Sequence, residues 1–186
     1  MIQLDKKELR KRALKARHEL SFEKKTKYDS LLFNYLKGFL NPYQTIGIYV
    51  SKEEEVDTHH LIEYLLNQNK VILVPKTNDK TLTFHQIHSF NDLKKGVFGV
   101  LEPISEEVYP IQDIEVMIVP IVAYDQNKNR IGYGKGYYDS ILKECVYTIG
   151  IAYPEQELEN IPSNHWDIPL HEIITITQDY RIHRIL

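Results

Sequence analysis

Short apolar runs separated by polar segments most limit how this 186-residue chain can fold. The run at 116–120 is apolar throughout, which is typical of a parallel strand that is covered on both faces. A helical pattern, which Thr58 is placed to cap, lies between two further runs at 45–50 and 71–75. Other strand-like runs lie at 82–87, 146–153 and 173–177. This strand–helix–strand order predicts an α/β fold with a mainly parallel sheet flanked by helices.

The first forty residues have helical spacing instead. The apolar positions of the first helix share one stripe and are Leu4, Leu9, Ala13, Ala16 and Leu20. Ser21 is placed as the N-cap of a second helix. We therefore predict a single domain over 1–186, made of a helical N-terminal arm at 1–40 and an α/β core at 45–186.

Composition and charge exclude several classes of protein. The chain has 23 basic and 26 acidic side chains, and a net charge of −3 gives no attraction to nucleic acid or to an anionic membrane. The single cysteine, Cys145, cannot form an internal disulfide, and the eight histidines show no metal-binding spacing. No apolar stretch has the length of a membrane span or the form of a secretion signal. We expect a cytoplasmic monomer with small-molecule substrates and with no nucleic-acid or membrane partner.

A glycine-rich segment, DQNKNRIGYGKGYYD at 125–139, follows the buried run at 116–120 and leads into a helical pattern at 137–145. Open α/β sheets bind ligands where such a strand ends. Glycine at alternate positions permits positive φ angles and a close approach of the backbone to a ligand. The glycines are Gly132, Gly134 and Gly136. Their amides, with the first N–H groups of the predicted helix, would form an anion cradle.

The charged residues of this segment favour a phosphate ligand. Arg130 and Lys135 supply positive charge for phosphate oxygens, and Asp139 could hold a divalent cation beside them. The segment does not fit the dinucleotide pattern, which requires glycine where Tyr137 stands, or the P-loop pattern. The alternative is a glycine-rich turn whose role is purely conformational.

Residues 130–139, RIGYGKGYYD, resemble the signature of the 5-formyltetrahydrofolate cyclo-ligases, also called methenyltetrahydrofolate synthetases. Further segments agree in the same order along the chain, and they lie at 6–10, 49–58, 74–76 and 166–170. The resemblance covers essentially the whole chain. It implies the α/β fold shared with ribose-phosphate isomerase and CoA-transferase-like proteins.

The resemblance also implies an activity. Members of this family couple ATP cleavage to ring closure of 5-formyltetrahydrofolate, and the products are 5,10-methenyltetrahydrofolate, ADP and phosphate. ATP is the co-substrate and Mg²⁺ the metal that the family requires. An N-formyl amide is a poor electrophile whose oxygen leaves poorly, which is why the formyl oxygen is first phosphorylated and N10 then attacks.

The family pattern, carried onto matching positions, implies the site residues. Lys135 and Arg130 are the implied catalytic residues, and Asp139 and Asp167 are the implied metal ligands. The ATP-binding positions are Lys6, Lys7, Glu8, Leu9, Arg10, Arg130, Ile131, Gly132, Tyr133, Gly134, Lys135, Gly136, Tyr137 and Tyr138. The folate-binding positions are Val50, Glu55, Tyr133, Gly134, Lys135, Gly136, Tyr137 and Tyr153. Glu55 is chosen over its neighbours Glu53 and Glu54 by the family register, because alternation in a loop does not show which glutamate faces inward.

Two other functions fit parts of the sequence. A phosphosugar isomerase on the same scaffold would turn over without ATP. A folate- or nucleotide-binding protein would keep the anion cradle without turnover. The presence of Arg130, Lys135, Asp139 and Glu55 together argues against simple binding, which does not need the whole set.

Overall fold

The computed structural model describes residues 5–186, so Leu4 of the predicted stripe lies outside the described residues. The α-helices of the described part are α1 (Lys6–His18), α2 (Phe22–Phe39) and α3 (His59–Asn67). Within residues 5–186, no helix has the length and apolar character needed to cross a membrane.

Side chains cap the first two helices. Asp5 precedes α1 and accepts a hydrogen bond from the backbone N–H of Glu8. Ser21 caps α2 as predicted, and its hydroxyl accepts from the N–H of Lys24 at 3.1 Å. Each cap satisfies a backbone donor that the first helical turn leaves without an intrahelical acceptor.

Thr58 precedes α3 but does not cap it, which corrects the prediction. Its hydroxyl donates to the carbonyl of Tyr49 at 2.7 Å instead. The Asp57 carboxylate takes the capping role, because it accepts from the backbone N–H groups of His59 and His60 at 3.2 and 3.5 Å. Thr58 therefore ties the loop before α3 to the end of the preceding strand.

The strands of the described part follow in chain order and are β1 (Thr45–Ile48), β2 (Val71–Asn78), β3 (Thr81–Ile87), β4 (Leu93–Lys95), β5 (Leu101–Pro103), β6 (Val116–Pro120), β7 (Ala123–Tyr124), β8 (Arg130–Ile131), β9 (Thr148–Ile151), β10 (Glu172–Ile176) and β11 (Ile182–Ile185). Seven of them form one sheet in the order β11-β10-β9-β6-β1-β2-β3. The strands from β10 to β2 pair in parallel, and β3 and β11 are antiparallel at the edges. The predicted mainly parallel sheet is confirmed.

Both faces of this sheet are covered. On one face α2 and α3 pack against the strands, and Leu36 and Ile62 meet Ile46 in one apolar cluster. On the other face Val119 packs with Leu142 from the segment after the glycine loop. Strand β6 is buried at every position, as its uninterrupted apolar sequence predicted.

Helix α1 packs at the end of the sheet, against the chain around β7 and β8. Leu9 and Ala13 belong to an apolar cluster that includes Ile131. The next buried residue along this helix is Arg17, whereas Ala16 of the predicted stripe is half-buried. A charged side chain is thus buried at a position that the apolar pattern of the sequence did not mark as part of the core.

The segment at 137–145 does not form the predicted α-helix. The chain turns there, with the N–H of Ile141 donating to the Tyr138 carbonyl at 3.0 Å, and it ends in one 3₁₀ turn. The Ser140 hydroxyl donates to the Tyr137 carbonyl at 2.6 Å. Serine side chains compete in this way for carbonyls that a helix would bond through its backbone.

The segment after β6 is also more ordered than predicted. Strands β7 and β8 pair as a hairpin, with Tyr124 opposite Arg130. In its turn the Asp125 carboxylate accepts from the backbone N–H groups of Asn127 and Asn129, both at 3.0 Å. This hairpin sets Arg130 at the base of the glycine loop.

We expect Ser21→Ala to destabilise the protein by about 1 kcal/mol, because the N-cap bond of α2 is lost. For a chain of this length that corresponds to a fall in Tm of about 2–4 °C. Ser30→Ala is the matched control, since Ser30 is exposed within the same helix and alanine is a good helix former. Thermal unfolding followed by circular dichroism measures both. Equal Tm values for the two variants would contradict the capping role.

Candidate active site

A cavity of about 440 Å³ opens where β1, β2 and β6 end. Val50 lies just after β1, Pro75 within β2 and Pro120 at the end of β6, and all three line it. Helix α1 and the glycine loop form the rest of the rim. This is the edge at which open α/β sheets bind ligands.

Two of the three glycines in the loop need glycine for its backbone. Gly134 has φ +91° and Gly136 φ +73°, a region that side chains with a Cβ rarely adopt. Gly132 does not have a positive φ. Glycine is required there because a side chain would have too little space. A Cβ there would lie 2.7 Å from the Arg130 guanidinium. The cradle is formed by a loop alone, since the α-helix expected to follow it is absent.

Arg130 lies underneath the loop with its side chain almost fully buried. Its Nε donates to the Pro120 carbonyl at 2.7 Å, and one terminal nitrogen lies 3.6 Å from the Asp139 carboxylate. The guanidinium also lies 5.3 Å from the ring centre of Tyr138. Burial lowers the pKa of Arg130, against the opposing charge of Asp139. The residue anchors the loop to β6 and places positive charge at the cavity wall.

The other cations predicted for this site reach the cavity from two sides. Lys135 is exposed on the glycine loop, and its Nζ lies 5.6 Å from the ring centre of Phe98. Lys6 and Arg10 come from α1, four residues apart on one helix face. Arg10 Nε donates to the Gly132 carbonyl at 2.7 Å. Helix α1 therefore holds the glycine loop directly.

The structure separates the residues predicted within 6–10. Lys7 and Glu8 are exposed and do not line the cavity, whereas Leu9 is buried in the core. A helix presents only every third or fourth side chain to one site, which is why the residues at 6–10 do not all face the cavity.

The loop after β1 brings a carboxylate to the opposite wall. Glu55 is buried and lines the cavity, and its carboxylate accepts from the Lys52 N–H at 2.7 Å. Glu53 and Glu54 are exposed, and Glu54 pairs with His18 on the surface. The choice of Glu55 as the inward glutamate thus agrees with the structure.

Tyr153 does not line the cavity. It is fully buried behind the loop after β1, where its hydroxyl donates to the Asp29 carboxylate and approaches the Glu55 carbonyl at 3.3 Å. Tyr153 therefore contacts Glu55 from the side away from the cavity. It does not reach the cavity itself, because a residue at the end of a parallel strand can point to the core as well as to a ligand.

The three tyrosines of the glycine loop all line the cavity. The Tyr137 hydroxyl donates to the Asp79 carbonyl at 3.3 Å, which joins the loop to the β2–β3 turn. The Tyr138 hydroxyl is buried without a hydrogen-bond partner in the described residues, and burial raises its pKa. Burial also raises the pKa of Tyr133, to about 12.

Sequence reasoning missed one wall of the cavity, which the chain between β2 and β5 supplies. Its residues include Thr77, Leu82, Phe98, Val100 and Glu102. Phe98 is 62% exposed and has φ 62°, an uncommon conformation for a bulky residue. The sequence signal that could have pointed to this wall was the pair of glycines, Gly96 and Gly99, that flank an apolar dipeptide.

Asp139 and Asp167 border a smaller adjoining cavity of about 30 Å³, together with Lys6 and Asn129. Desolvation of Asp167 is outweighed by the Asn164 N–H and by Lys6, whose Nζ lies 3.1 Å away, so its pKa is lowered. Mg²⁺ commonly takes one or two carboxylates and completes its coordination with phosphates and waters. The donor set fits that demand. Within residues 5–186, no group of three or more His, Cys, Asp or Glu side chains forms a closed metal site.

Comparison with known proteins agrees with this geometry. Residues 2–176 match the model of the 5-formyltetrahydrofolate cyclo-ligase family. The 5-formyltetrahydrofolate cyclo-ligase of Haemophilus influenzae is 34% identical over 140 residues, which cover 70% of this chain and 75% of that protein. The enzyme of the same name from Mycoplasma pneumoniae is 30% identical over 179 residues, covering 92% of this chain and 98% of the relative.

Solved structures share the fold. The 5,10-methenyltetrahydrofolate synthetase of Aquifex aeolicus superposes with a TM-score of 0.84 at 32% identity, covering 97% of this chain and 92% of that one. The synthetase from Mycoplasma pneumoniae gives 0.75 at 26% identity, with 91% and 98% covered. Fold, cavity and relatives together define an α/β enzyme. The chain belongs to the 5-formyltetrahydrofolate cyclo-ligase family, as the resemblance of residues 130–139 indicated.

One substitution, glycine to alanine, is expected to have opposite effects at two places. Gly134→Ala forces a side chain into a left-handed conformation and against the Arg10 guanidinium at 3.2 Å, so we expect a loss of about 1–2 kcal/mol. Gly38→Ala lies within α2 with open space around the new Cβ, and we expect a gain of about 0.5–1 kcal/mol.

Urea unfolding measures both variants, and Gly136→Ala serves as the control. Gly136 has a positive φ but open space around a Cβ, so that variant isolates the backbone cost. Gly134→Ala should lose at least as much stability as Gly136→Ala. A Gly134→Ala protein as stable as the wild type would contradict the loop geometry.

Proposed function

We propose that this enzyme uses ATP to close 5-formyltetrahydrofolate to 5,10-methenyltetrahydrofolate, with release of ADP and phosphate. The observation that carries the proposal is the position of Lys135 and Glu55 on one cavity. One wall holds cations and loop amides that suit a triphosphate, and the other holds a buried carboxylate that suits a pterin. Membership of the family supports the same activity.

The chemistry accounts for the need for a nucleotide. In the proposed reaction the formyl oxygen attacks the γ-phosphorus, and the bond to ADP breaks. N10 then attacks the formyl carbon and loses its proton, and the C–O bond breaks to release phosphate. The protein has little covalent chemistry to carry out. It positions the two substrates and neutralises the charge that is transferred.

We assign the triphosphate to the glycine loop and its neighbours. Backbone amides of 132–136 and the exposed ammonium of Lys135 would contact the phosphates, and Lys6 and Arg10 would contact them from α1. Arg130 would act from beneath, because its Nε is already bound to Pro120. The carboxylates of Asp139 and Asp167 would hold Mg²⁺, which supplies charge neutralisation when it is bound.

We assign the pterin to Glu55. The amino group and ring N–H of a pterin donate side by side, and a carboxylate accepts both. The aromatic rings of Tyr137 and Phe98 line the same cavity and offer flat surfaces for the folate rings. Val50 supplies an apolar contact. The monomeric state and the cytoplasmic location stay predictions.

An isomerase of phosphosugars on this scaffold would not require ATP, and a binding protein would not release phosphate. A single measurement separates the three functions. The enzyme is mixed with 5-formyltetrahydrofolate, ATP and Mg²⁺, and both methenyl-folate absorbance and free phosphate are followed in a single turnover. Equal amounts of the two products support the proposal, and absence of either one removes it.

Lys135→Ala should lower kcat about 10²–10³-fold, because a positioned cation that stabilises the transferring phosphoryl group is lost. Lys143→Ala is the matched control, since Lys143 is exposed and lies outside the cavity. The readout is the rate of methenyl-folate formation at saturating ATP. A Lys135→Ala enzyme with the wild-type rate would rule out the proposed role of the glycine loop.

Glu55→Gln should weaken the binding of 5-formyltetrahydrofolate about tenfold or more, because an amide accepts only one of the paired pterin N–H bonds well. The affinity for ADP should stay unchanged. Glu53→Gln, at an exposed position of the same loop, should affect neither ligand. Isothermal titration calorimetry measures all these affinities, and an unaltered folate affinity of Glu55→Gln would contradict the assignment.

A further inference from the structure

Lys52 is a cation at the cavity to which the reaction described above gives no role. It is exposed in the loop after β1 and lines the same cavity as Glu55. Its ammonium lies 3.8 Å from the ring centre of Tyr133, which belongs to the glycine loop. The face of an aromatic ring attracts a cation, and an ammonium in that position can still donate hydrogen bonds to an anion. The side chain of Lys52 therefore reaches from one wall of the cavity to the other.

The backbone of Lys52 is fixed beside the carboxylate assigned to the pterin. Its N–H donates to the Glu55 carboxylate at 2.7 Å, and its carbonyl accepts from the Glu55 N–H at 3.1 Å. Ser51 and Thr58 close this loop, because the hydroxyl of each accepts from the backbone N–H of the other, at 3.0 and 2.9 Å. All the bonds of Lys52 to Glu55 use backbone atoms, so a change of the Lys52 side chain leaves them in place.

The aromatic ring at the other end of this span is also held in place. The Tyr133 hydroxyl accepts from Arg17 at 2.8 Å, and the carbonyl of the preceding residue, Gly132, accepts from Arg10 at 2.7 Å. Tyr133 thus keeps a defined position in the glycine loop, whose amides are assigned to the triphosphate. The Lys52 ammonium is held against the triphosphate side, while its backbone is held on the folate side.

Other cations of the cavity are engaged with polar groups of the protein. Lys6 pairs with Asp167 at 3.1 Å, and Arg10 donates to a backbone carbonyl. None of the ion pairs within residues 5–186 includes Lys52. Its charge is therefore not compensated by a carboxylate of the described chain. The formyl oxygen must meet the γ-phosphorus where the two substrates adjoin, and the Lys52 side chain spans that junction.

We propose that Lys52 is a further catalytic residue, whose ammonium contacts the γ-phosphoryl group from the folate side. The bond from the formyl oxygen to phosphorus forms as the bond to ADP breaks, and Lys52 donates hydrogen bonds to the phosphoryl oxygens during the transfer. Lys52 neither gains nor loses a proton. Lys135 acts on the same group from the glycine loop. The inference rests on the proposed function, in which ATP and 5-formyltetrahydrofolate meet in this cavity.

Replacement of the Lys52 side chain tests the proposal. Lys52→Met keeps the apolar stem without the charge, and we expect kcat to fall about 10²-fold, the effect of losing one preorganised donor. The Kd for 5-formyltetrahydrofolate should stay within about threefold of wild type, because the bonds to Glu55 come from the backbone. Lys52→Arg should return kcat to within about tenfold of wild type, since a guanidinium also binds phosphate. Lys143→Met removes the same charge at an exposed position outside the cavity and should leave kcat unchanged.

A comparison of two nucleotides locates the contact on the γ-phosphoryl group. β,γ-Imido-ATP carries this group in a form that is not transferred, and ADP lacks it. Lys52→Met should weaken the binding of β,γ-imido-ATP about tenfold, because a charge-assisted hydrogen bond is lost. The affinity for ADP should not change. Isothermal titration calorimetry with Mg²⁺ present measures both affinities. Circular dichroism checks the folding of each variant, and Lys52→Gln replaces Lys52→Met if the latter does not fold.

Three results would overturn the inference. The first is a wild-type kcat in Lys52→Met. The second is an equal loss of affinity for ADP and β,γ-imido-ATP, which places the contact away from the γ-phosphoryl group. The third is a loss of folate affinity as large as the loss of kcat/KM, because Lys52 would then act only by holding the two loops together. Each of these leaves the proposed function intact if the wild-type enzyme forms methenyl-folate with ATP. A wild-type enzyme that forms no product removes the proposed function itself.

Discussion

The hydrogen bond from Arg130 Nε to the Pro120 carbonyl is the contact on which the site depends. It joins the glycine loop to the end of β6, the strand that is buried at every position. A loop with two glycines at positive φ has many conformations available in the unfolded chain, so its shape must come from contacts with rigid neighbours. The sheet supplies that rigidity at the start of the loop through Arg130, and α1 adds to it through Arg10, which donates to the Gly132 carbonyl.

The same arrangement explains how several cations are held close together on one wall of the cavity. Each cation has a partial partner in the protein. Arg130 has Asp139, Lys6 has Asp167, and Arg10 has a backbone carbonyl. The Arg10 and Lys6 contacts are short, at 2.7 and 3.1 Å, and Arg130 lies 3.6 Å from Asp139, so contacts within the protein hold the positive charge in place beside the cavity. Preorganisation of this kind places the electrostatic cost in folding and removes it from the reaction.

Much of the fold could be predicted from the sequence, because uninterrupted apolar runs and helical stripes follow directly from burial. The parallel order of β1, β2, β6, β9 and β10 agrees with those patterns. The helix predicted at 137–145 is wrong, since local serine bonding and turn geometry outweigh its apolar spacing. The short strands β4, β5, β7 and β8 escaped prediction because two or three residues carry no readable period.

The site was predicted less evenly. The family pattern pointed to Lys135, Arg130 and Glu55, which line one cavity, but it did not separate Lys6 and Arg10 from the intervening residues that face elsewhere. Tyr153, which the family pattern also pointed to, lies behind the cavity wall, because a residue at a strand end can point to the core as well as to a ligand.

The walls of the cavity come from segments that are far apart in the chain, and this has a consequence for biosynthesis. Helix α1 is synthesised before the glycine loop that it contacts at Gly132, which follows more than a hundred residues later. Until that loop has emerged from the ribosome, the basic face of α1 has no partner at the cavity and the cavity is incomplete. We expect the nascent chain to acquire ligand affinity abruptly and late, when its last third is synthesised, and not gradually as its helices form.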